Sequence, residues 1–172
     1  MQTVMHNVMK NPINISTLIQ SHKGVANFDY DLTVDWAIEL LRSGIETENI
    51  YMLASFSKPV DSREIKPYVS AVLKDLNLVE NEGNDAVISK IKYHLVEIIH
   101  DHAIRSNLKE IYNICIQNGY PDDLMKFYLL YNAWDELDSM DVNFYYDGAT
   151  KSNIEEIIKD KARNWLDENA EK

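Results

Sequence analysis

Residues 65–76, IKPYVSAVLKDL, carry the pattern that decides the fold class. Apolar side chains recur there at intervals of three and four residues, at Ile65, Tyr68, Val69, Val72, Leu73 and Leu76. This spacing places them on one face of an α-helix, the face that a globular protein buries. Because proline is tolerated in the first turn of a helix, the pattern predicts a helix that begins at Pro67.

The chain on the N-terminal side of this stretch predicts two more helices. Residues 32–43 follow Asp31, a suitable N-cap, and precede Gly44, which can adopt the left-handed conformation that ends a helix. Thr47 can cap a short helix that continues to about Phe56. The short connection around Gly44 predicts that these two helices pack as antiparallel neighbours.

The chain on the C-terminal side follows the same rules. After the loop at residues 81–85, residues 86–105 are predicted to form the longest helix, and Asn107 with Glu110 is a capping box for the next one. That helix closes at Gly119, before Pro121. The two remaining predicted helices cover residues 124–137 and the segment that follows a capping box at Ser152 and Glu155.

Only residues 142–146, VNFYY, have an extended pattern, and Asp147-Gly148 after them predicts a turn. No linker rich in proline, glycine or serine divides the chain. The sequence therefore predicts a mainly α fold. The expected architecture is a single irregular helical bundle of about seven or eight helices, built from αα-hairpins, in one all-α domain over residues 1–172.

Composition limits the function classes. The 172 residues have a formal net charge of -11, a field that repels phosphate groups and anionic lipid headgroups and attracts a basic protein. One cysteine excludes an intramolecular disulfide. The N-terminus MQTVMHNVMKNP lacks the pattern of a secretion signal, and no apolar run is long enough for a transmembrane helix. A cytoplasmic protein that binds neither nucleic acid nor membrane is expected.

Residues 30–78 resemble a known type of helical segment. The resemblance rests on apolar spacing, at Trp36-Ala37, Leu40-Leu41, Gly44, Ile50, Leu53-Ala54, Ile65, Tyr68, Leu73 and Leu76. The segment is similar to one in small uncharacterised bacterial proteins, some of which resemble immunity or accessory proteins of toxin systems. The resemblance implies a bacterial, immunity-like protein and assigns no site residues.

Three histidines, His94, His100 and His102, lie within nine residues. On one continuous helix His94 and His100 would be about 240° apart, and His94 and His102 about 12 Å apart along the axis, so they cannot share one metal ion. The same geometry predicts that His102 lies on the core face and His94 on the solvent face. No metal or other cofactor is therefore predicted.

A helical metal-dependent phosphohydrolase of the HD type is the enzymatic alternative. His100-Asp101 forms the dipeptide that resembles this family, and the resemblance implies a further upstream histidine and a downstream aspartate, for which His22 and Asp135 are the nominees. Cys115 lies in an apolar helix without a catalytic signature and is predicted to be a buried structural thiol.

The segment 127–150 has the most unusual composition. It holds no Lys or Arg and seven of the chain's 17 aromatic residues. Phe127, Tyr128, Tyr131 and Trp134 have helical spacing typical of core residues, whereas the consecutive Phe144, Tyr145 and Tyr146 cannot all point inward. A calcium loop starting at Asp141 would require a ligand at position 145 and glycine at 146, where tyrosines stand.

Exposed tyrosines among carboxylates are typical of a protein interface, since aromatic side chains supply affinity and acids attract a basic partner. The predicted partner-binding residues are Asp135, Glu136, Asp138, Asp141, Phe144, Tyr145, Tyr146 and Asp147. The leading hypothesis is a non-enzymatic immunity- or antitoxin-like protein that blocks a basic toxin. The alternatives are the phosphohydrolase and a helical adaptor that binds peptides.

Overall fold

The computed structural model of the protein describes residues 12–170, so the interpretation of the N-terminal MQTVMHNVMKN segment lies outside the described residues. Within that range the regular structure consists of eight α-helices, without a β-strand. They are α1 (Pro12–Ile19), α2 (Asp31–Arg42), α3 (Glu48–Ala54), α4 (Ser62–Asp75), α5 (Gly83–Ile99), α6 (Ile104–Gln117), α7 (Asp122–Met140) and α8 (Ile154–Glu168). The prediction of a mainly α fold with seven or eight helices is confirmed.

The chain divides into two compact units, residues 1–90 and residues 91–172. Helices α1 to α4 belong to unit 1, α6 to α8 belong to unit 2, and α5 contributes residues to both. The interpretation of residues 1–172 as one domain stays a prediction, and each unit is described by itself.

In unit 1 consecutive helices pack on each other, α1 on α2, α2 on α3 and α3 on α4. Trp36 is fully buried, and its indole N–H donates a hydrogen bond to Ser16 Oγ at 2.9 Å. Thr47 caps α3 as predicted, with its hydroxyl oxygen accepting from Ile50 N at 3.2 Å. Gly44 has a φ of +78°, which confirms the predicted left-handed residue between α2 and α3.

Helix α4 begins at Ser62, so the prediction that it begins at Pro67 is wrong. The side chain of Asp61 accepts a hydrogen bond from Arg63 N at 2.7 Å and caps the helix five residues earlier. Pro67 then lies inside α4, with its ring exposed, and costs the helix one backbone hydrogen bond. The cap and the fully buried Ile65 on the first turn compensate for that loss.

One other predicted helix start and one predicted helix end need correction. Asp31 is the first residue of α2 and Tyr30 precedes it, so Asp31 is not the N-cap. The predicted helix 86–105 ends at Ile99, because Asp101 and Ala103 adopt left-handed φ values of 60° and 42°. Helix α7, with 19 residues, is therefore longer than α5, with 17.

In unit 2, α6 packs on α7 and α7 on α8, and Gly119 ends the α6 region with a φ of +73° as predicted. The capping box at Asn107 is wrong, since Asn107 lies inside α6 and its amide donates to the carbonyl of His102 at 2.7 Å. The capping box at Ser152 is wrong as well, because α8 begins at Ile154 after Asn153. Residues 142–146 form a bent loop.

Candidate functional site

The loop that follows α7 is fixed by its own polar groups. Asp141, with a left-handed φ of 62°, ends the helix and reverses the chain. Asn143 then ties the loop together: its amide donates to Ala149 O and its side-chain oxygen accepts from Tyr146 N, both at 2.8 Å. Phe144 N donates to Glu136 Oε2 at 2.7 Å, which connects the loop to α7. The loop therefore has a defined conformation before any partner binds.

This fixed loop presents apolar side chains to solvent. Phe144 is 83% exposed and Tyr145 is 44% exposed, while Tyr146 is half-buried. Met140 and Val142 beside them are about half exposed, at 53% and 51%. Exposed apolar side chains that adjoin one another mark interaction sites more often than isolated ones. We call residues 135–147 the 135–147 surface.

The carboxylates of the 135–147 surface receive cations from outside the segment. Arg105 on α6 forms ion pairs with both Asp135 and Asp138, and Lys151 forms one with Asp141. Asp147 is exposed at the turn. Because two cations meet five acids, the surface stays negative. A count along the sequence misses Arg105, which is 30 and 33 residues away from its two partners.

The aromatic residues of α7 are less buried than predicted. Only Phe127 is fully buried, and Tyr128, Tyr131 and Trp134 are half-buried at the surface of unit 2. Tyr128 and Tyr131 contact Tyr112 of α6, with ring centroids 5.1 and 4.5 Å apart. Helix α7 packs on α6 and α8, and Phe127 is its fully buried aromatic residue.

Sequence reasoning missed the other half of this tyrosine cluster. Tyr112 lies in α6, and Tyr120, at the joint between α6 and α7, contacts Tyr128 edge to face at 5.4 Å. Burial, followed by the neighbouring tyrosines, raises the pKa of Tyr112. The predicted α6–α7 hairpin was a usable signal, because it brings residues on either side of Gly119 together.

A cleft of about 400 Å³ opens in unit 2 next to the 135–147 surface. Its lining consists of Asp101, Ala103, Ile104, Arg105, Ser106, Trp134 and Glu155. The Arg105 guanidinium carbon lies 5.4 Å from the centre of the Trp134 ring, within cation–π distance. The cleft thus combines an aromatic wall with acids and one arginine.

The histidines do not lie where one continuous helix would place them. His94, predicted to face solvent, is buried, and its Nδ1 lies 2.8 Å from Asn107 Oδ1. His102, predicted to face the core, is half-exposed in the turn after α5, with Nδ1 3.3 Å from Glu97 Oε2. Helix α5 stops at Ile99, so the angle calculated for His102 does not apply.

The residues nominated for a phosphohydrolase have other contacts. Asp101 accepts a hydrogen bond from Lys159 Nζ at 2.8 Å, which lowers the pKa of that carboxyl, and Asp135 pairs with Arg105. His100 is exposed, and its ring centroid is 6.1 Å from that of His102. Among residues 12–170, no three His, Cys, Asp or Glu side chains are grouped as metal ligands.

Cys115 is fully buried, and burial, with a smaller contribution from Asp123, raises the pKa of its thiol. A raised pKa keeps the sulfur protonated and weakly nucleophilic. The prediction of a buried thiol is confirmed.

Unit 1 contains a buried titratable cluster that sequence reasoning missed. We call His22, Tyr30 and Glu80 the His22 cluster. His22 is 2% exposed, and its two ring nitrogens lie 3.2 Å from Tyr30 Oη and 3.2 Å from Glu80 Oε1. Glu80 also pairs with Lys23. Burial lowers the pKa of His22, only partly offset by Glu80, and raises that of Tyr30 to about 12. Burial disfavours the Glu80 anion, but hydrogen bonds from Lys23, Ser70 and His22 outweigh it and hold its pKa at about 2.

Comparison of the chain with protein-family models, with curated proteins and with solved structures finds no match. None of the helices in the described part of the chain is long and apolar enough to cross a membrane.

Proposed function

We propose that the protein is a protein-binding domain and that its 135–147 surface binds a basic partner. The observation that carries the proposal is Phe144, which is 83% exposed on a loop fixed by hydrogen bonds. Burying a large aromatic side chain against a partner supplies much of the affinity of a typical interface.

Because the loop is already fixed, binding through it costs little conformational entropy. Ordering a flexible segment on binding weakens affinity, whereas a segment already held in its bound shape avoids that loss. The amide of Asn143 and the carboxylate of Glu136 hold the backbone on both sides of Phe144 and Tyr145. The two aromatic side chains are therefore displayed by a rigid backbone.

The charge of the surface selects the class of partner. Among residues 12–170, Glu136 and Asp147 form no ion pair with a basic side chain, and Arg105 is shared by Asp135 and Asp138. A negative surface around an aromatic centre favours a basic protein and repels an acidic one. Blocking of a basic toxin or nuclease by an immunity-like protein is the specific form of this proposal, and it rests on the resemblance of residues 30–78.

A peptide-binding adaptor is the second candidate, and the tyrosine cluster favours it. Four tyrosines, Tyr112, Tyr120, Tyr128 and Tyr131, meet along the α6–α7 hairpin with ring centroids 4.5–5.4 Å apart. Aromatic-lined surfaces bind extended proline-rich segments in several peptide-recognition domains. The adaptor would use this surface in place of residues 144–145.

Affinity capture from the source organism tests the leading proposal. The baits are the wild-type protein, the double variant Phe144→Ala/Tyr145→Ala and the control Tyr51→Ala, which removes a tyrosine that is 52% exposed on α3 of unit 1. Captured proteins are identified by mass spectrometry. We expect a basic protein to be retained by the wild type and by Tyr51→Ala and to be lost from the double variant.

The double variant should unfold at nearly the wild-type denaturant concentration, because exposed side chains contribute within about 0.5 kcal/mol to stability. Loss of capture by the double variant then reflects the missing Phe144 and Tyr145 side chains and not unfolding. A partner that all three baits retain equally contradicts the 135–147 site. If Tyr112→Ala or Tyr120→Ala releases such a partner, the adaptor takes its place.

A further inference from the structure

The cleft beside the 135–147 surface already holds one cation against an aromatic wall. Arg105 bridges the carboxylates of Asp135 and Asp138, and its guanidinium carbon lies 5.4 Å from the centre of the Trp134 ring. The side chain of Arg105 is 41% exposed, so this bridge lies at the surface. The same cleft is lined by two further acids, Asp101 and Glu155.

The dimensions and charge of the cleft point to one ligand chemistry. Its volume of about 400 Å³ lies at the lower end of the range of about 300–1,000 Å³ common for ligand sites, large enough for a long side chain. Of its charged lining residues, Asp101 and Glu155 are acidic and Arg105 is basic. Lys159 pairs with Asp101, and the two aspartates that pair with Arg105 add negative charge, so the acids still outnumber the cations. An anion is disfavoured there and a cation is favoured.

We propose that the cleft recognises an arginine side chain of the basic partner, which takes the place of Arg105 between Asp135, Asp138 and Trp134. The proposal rests on the proposed function of the 135–147 surface and names the group that surface recognises. Arg105 is then an internal substitute for the partner's arginine, and the contacts it makes are a template of the bound state.

The magnitudes permit this exchange. Ion pairs between exposed side chains contribute only about 0–1 kcal/mol, because water screens them and holding two long side chains in one geometry costs entropy. Arginine is favoured over lysine because its planar guanidinium donates in two directions and stacks on an aromatic ring, whereas an ammonium group is a point charge with a tightly held hydration shell. An incoming arginine can make the Arg105 contacts, and Glu155, an exposed acid in the lining of the same cleft, adds to the attraction.

Tryptophan supplies a site-specific readout. The chain has three tryptophans, of which Trp36 and Trp165 are buried, at 0% and 1% exposed, and Trp134 lines the cleft. The indole N–H resonance of Trp134 in a two-dimensional NMR spectrum, assigned with Trp134→Phe, therefore reports on the cleft. The probes are octa-arginine and octa-lysine peptides, which have the same charge and differ in the cationic group.

The variants are Arg105→Gln and the matched control Arg42→Gln, which removes the same charge from an exposed ion pair with Glu39 on α2 of unit 1. We expect octa-arginine to shift the Trp134 resonance of the wild-type protein more than octa-lysine does. We also expect Arg105→Gln to bind octa-arginine about fivefold more tightly than Arg42→Gln, since the internal competitor is gone. Arg105→Lys, which keeps the charge without the planar fork, should fall between the wild type and Arg105→Gln and serves if Arg105→Gln is unstable.

Two results would contradict the proposal. They differ in whether the proposed function of the 135–147 surface is contradicted as well. If octa-arginine binds without moving the Trp134 resonance, and Arg105→Gln and Arg42→Gln bind it equally, Arg105 only joins α6 to α7. The cleft proposal then fails while the 135–147 surface remains. If neither peptide binds the wild type or any variant at low salt, the basic-partner function of that surface fails together with it.

Discussion

The His22 cluster of unit 1 and the 135–147 surface of unit 2 contain similar types of residue. In the first the histidine ring is buried, whereas in the second Phe144 and Tyr145 are exposed. Each combines acids and tyrosine with a basic side chain: Lys23 pairs with Glu80 in unit 1, and Arg105, from outside residues 135–147, pairs with Asp135 and Asp138 in unit 2. In unit 1 the ring nitrogens of His22 are within 3.2 Å of Tyr30 and Glu80, and the ring is buried. In unit 2 the hydrogen bonds are made by backbone and loop groups, and the side chains of Phe144 and Tyr145 extend into solvent.

The difference separates stability from binding. A buried polar group that loses its partner costs the desolvation penalty of that group, so the His22 cluster contributes to folding. An exposed aromatic side chain gains nothing from folding, and its apolar surface is buried only when a partner binds. Substitutions in unit 1 should therefore change the free energy of unfolding, and substitutions on the 135–147 surface should change affinity.

The largest effect is expected in the core of unit 1. Leu73 is fully buried on α4 and its neighbour Lys74 is exposed. Leu73→Ala should lower the free energy of unfolding by about 2–5 kcal/mol, because it removes apolar contacts and leaves a cavity. Lys74→Ala should change it by no more than about 0.5 kcal/mol. Denaturant unfolding of both variants measures this, and equal losses would show that α4 buries a different face.

The next effect is a pH dependence of stability that arises from the buried His22. Burial lowers the folded-state pKa of His22 below its usual 6.5, so the unfolded chain binds a proton more readily than the folded one. Stability is full above pH 6.5 and falls as pH drops below it, with a slope of at most about 1.4 kcal/mol per pH unit. Glu80, whose folded-state pKa is about 2, stays ionised in the folded protein and adds slope only as pH approaches its usual 4.5, where the unfolded chain begins to bind a proton.

His22→Gln should therefore flatten the stability curve between pH 7 and pH 5. The control is His100→Gln, which removes an exposed imidazole and should leave the wild-type slope intact. Urea unfolding at pH 7, 6 and 5 gives the three slopes. Curves for the wild type and His22→Gln that run parallel would mean that His22 titrates equally in the folded and unfolded chains.

The contrast between the units also explains which parts of the molecule could be predicted. Local signals sufficed for α3, where Thr47 caps the first turn, and for the end of α6 at Gly119. They failed at Asp101 and Ala103, because left-handed φ values at residues other than glycine have no reliable local signature. The helix break there displaced the expected position of His102.

Long-range pairs set the limit for the site residues. Glu80 is 58 residues from His22, and Arg105 is 30 residues from Asp135, so neither pair follows from periodicity. The exposure of Phe144 and Tyr145 could be predicted because adjacent residues in a short segment cannot share one buried face. The sequence therefore predicted the aromatic part of the 135–147 surface, whereas its neutralising cations and the cleft required the fold.

The smallest expected effect concerns single charges at the edge of the 135–147 surface. Asp147→Asn removes an exposed acid of the surface, and Asp85→Asn removes an exposed acid near the start of α5 in unit 1. At low salt Asp147→Asn should weaken octa-arginine binding by about twofold, since charges at the rim of an interface attract a partner without being desolvated. Asp85→Asn changes the net charge equally and should have the smaller effect.

The difference should vanish in about 0.5 M salt, where the screening length falls well below the roughly 10 Å found at 0.1 M. Fluorescence anisotropy at both salt concentrations measures the affinity of the two variants for octa-arginine. Equal weakening by both variants at low salt would mean that the peptide responds to the net charge of -11 and has no preferred surface.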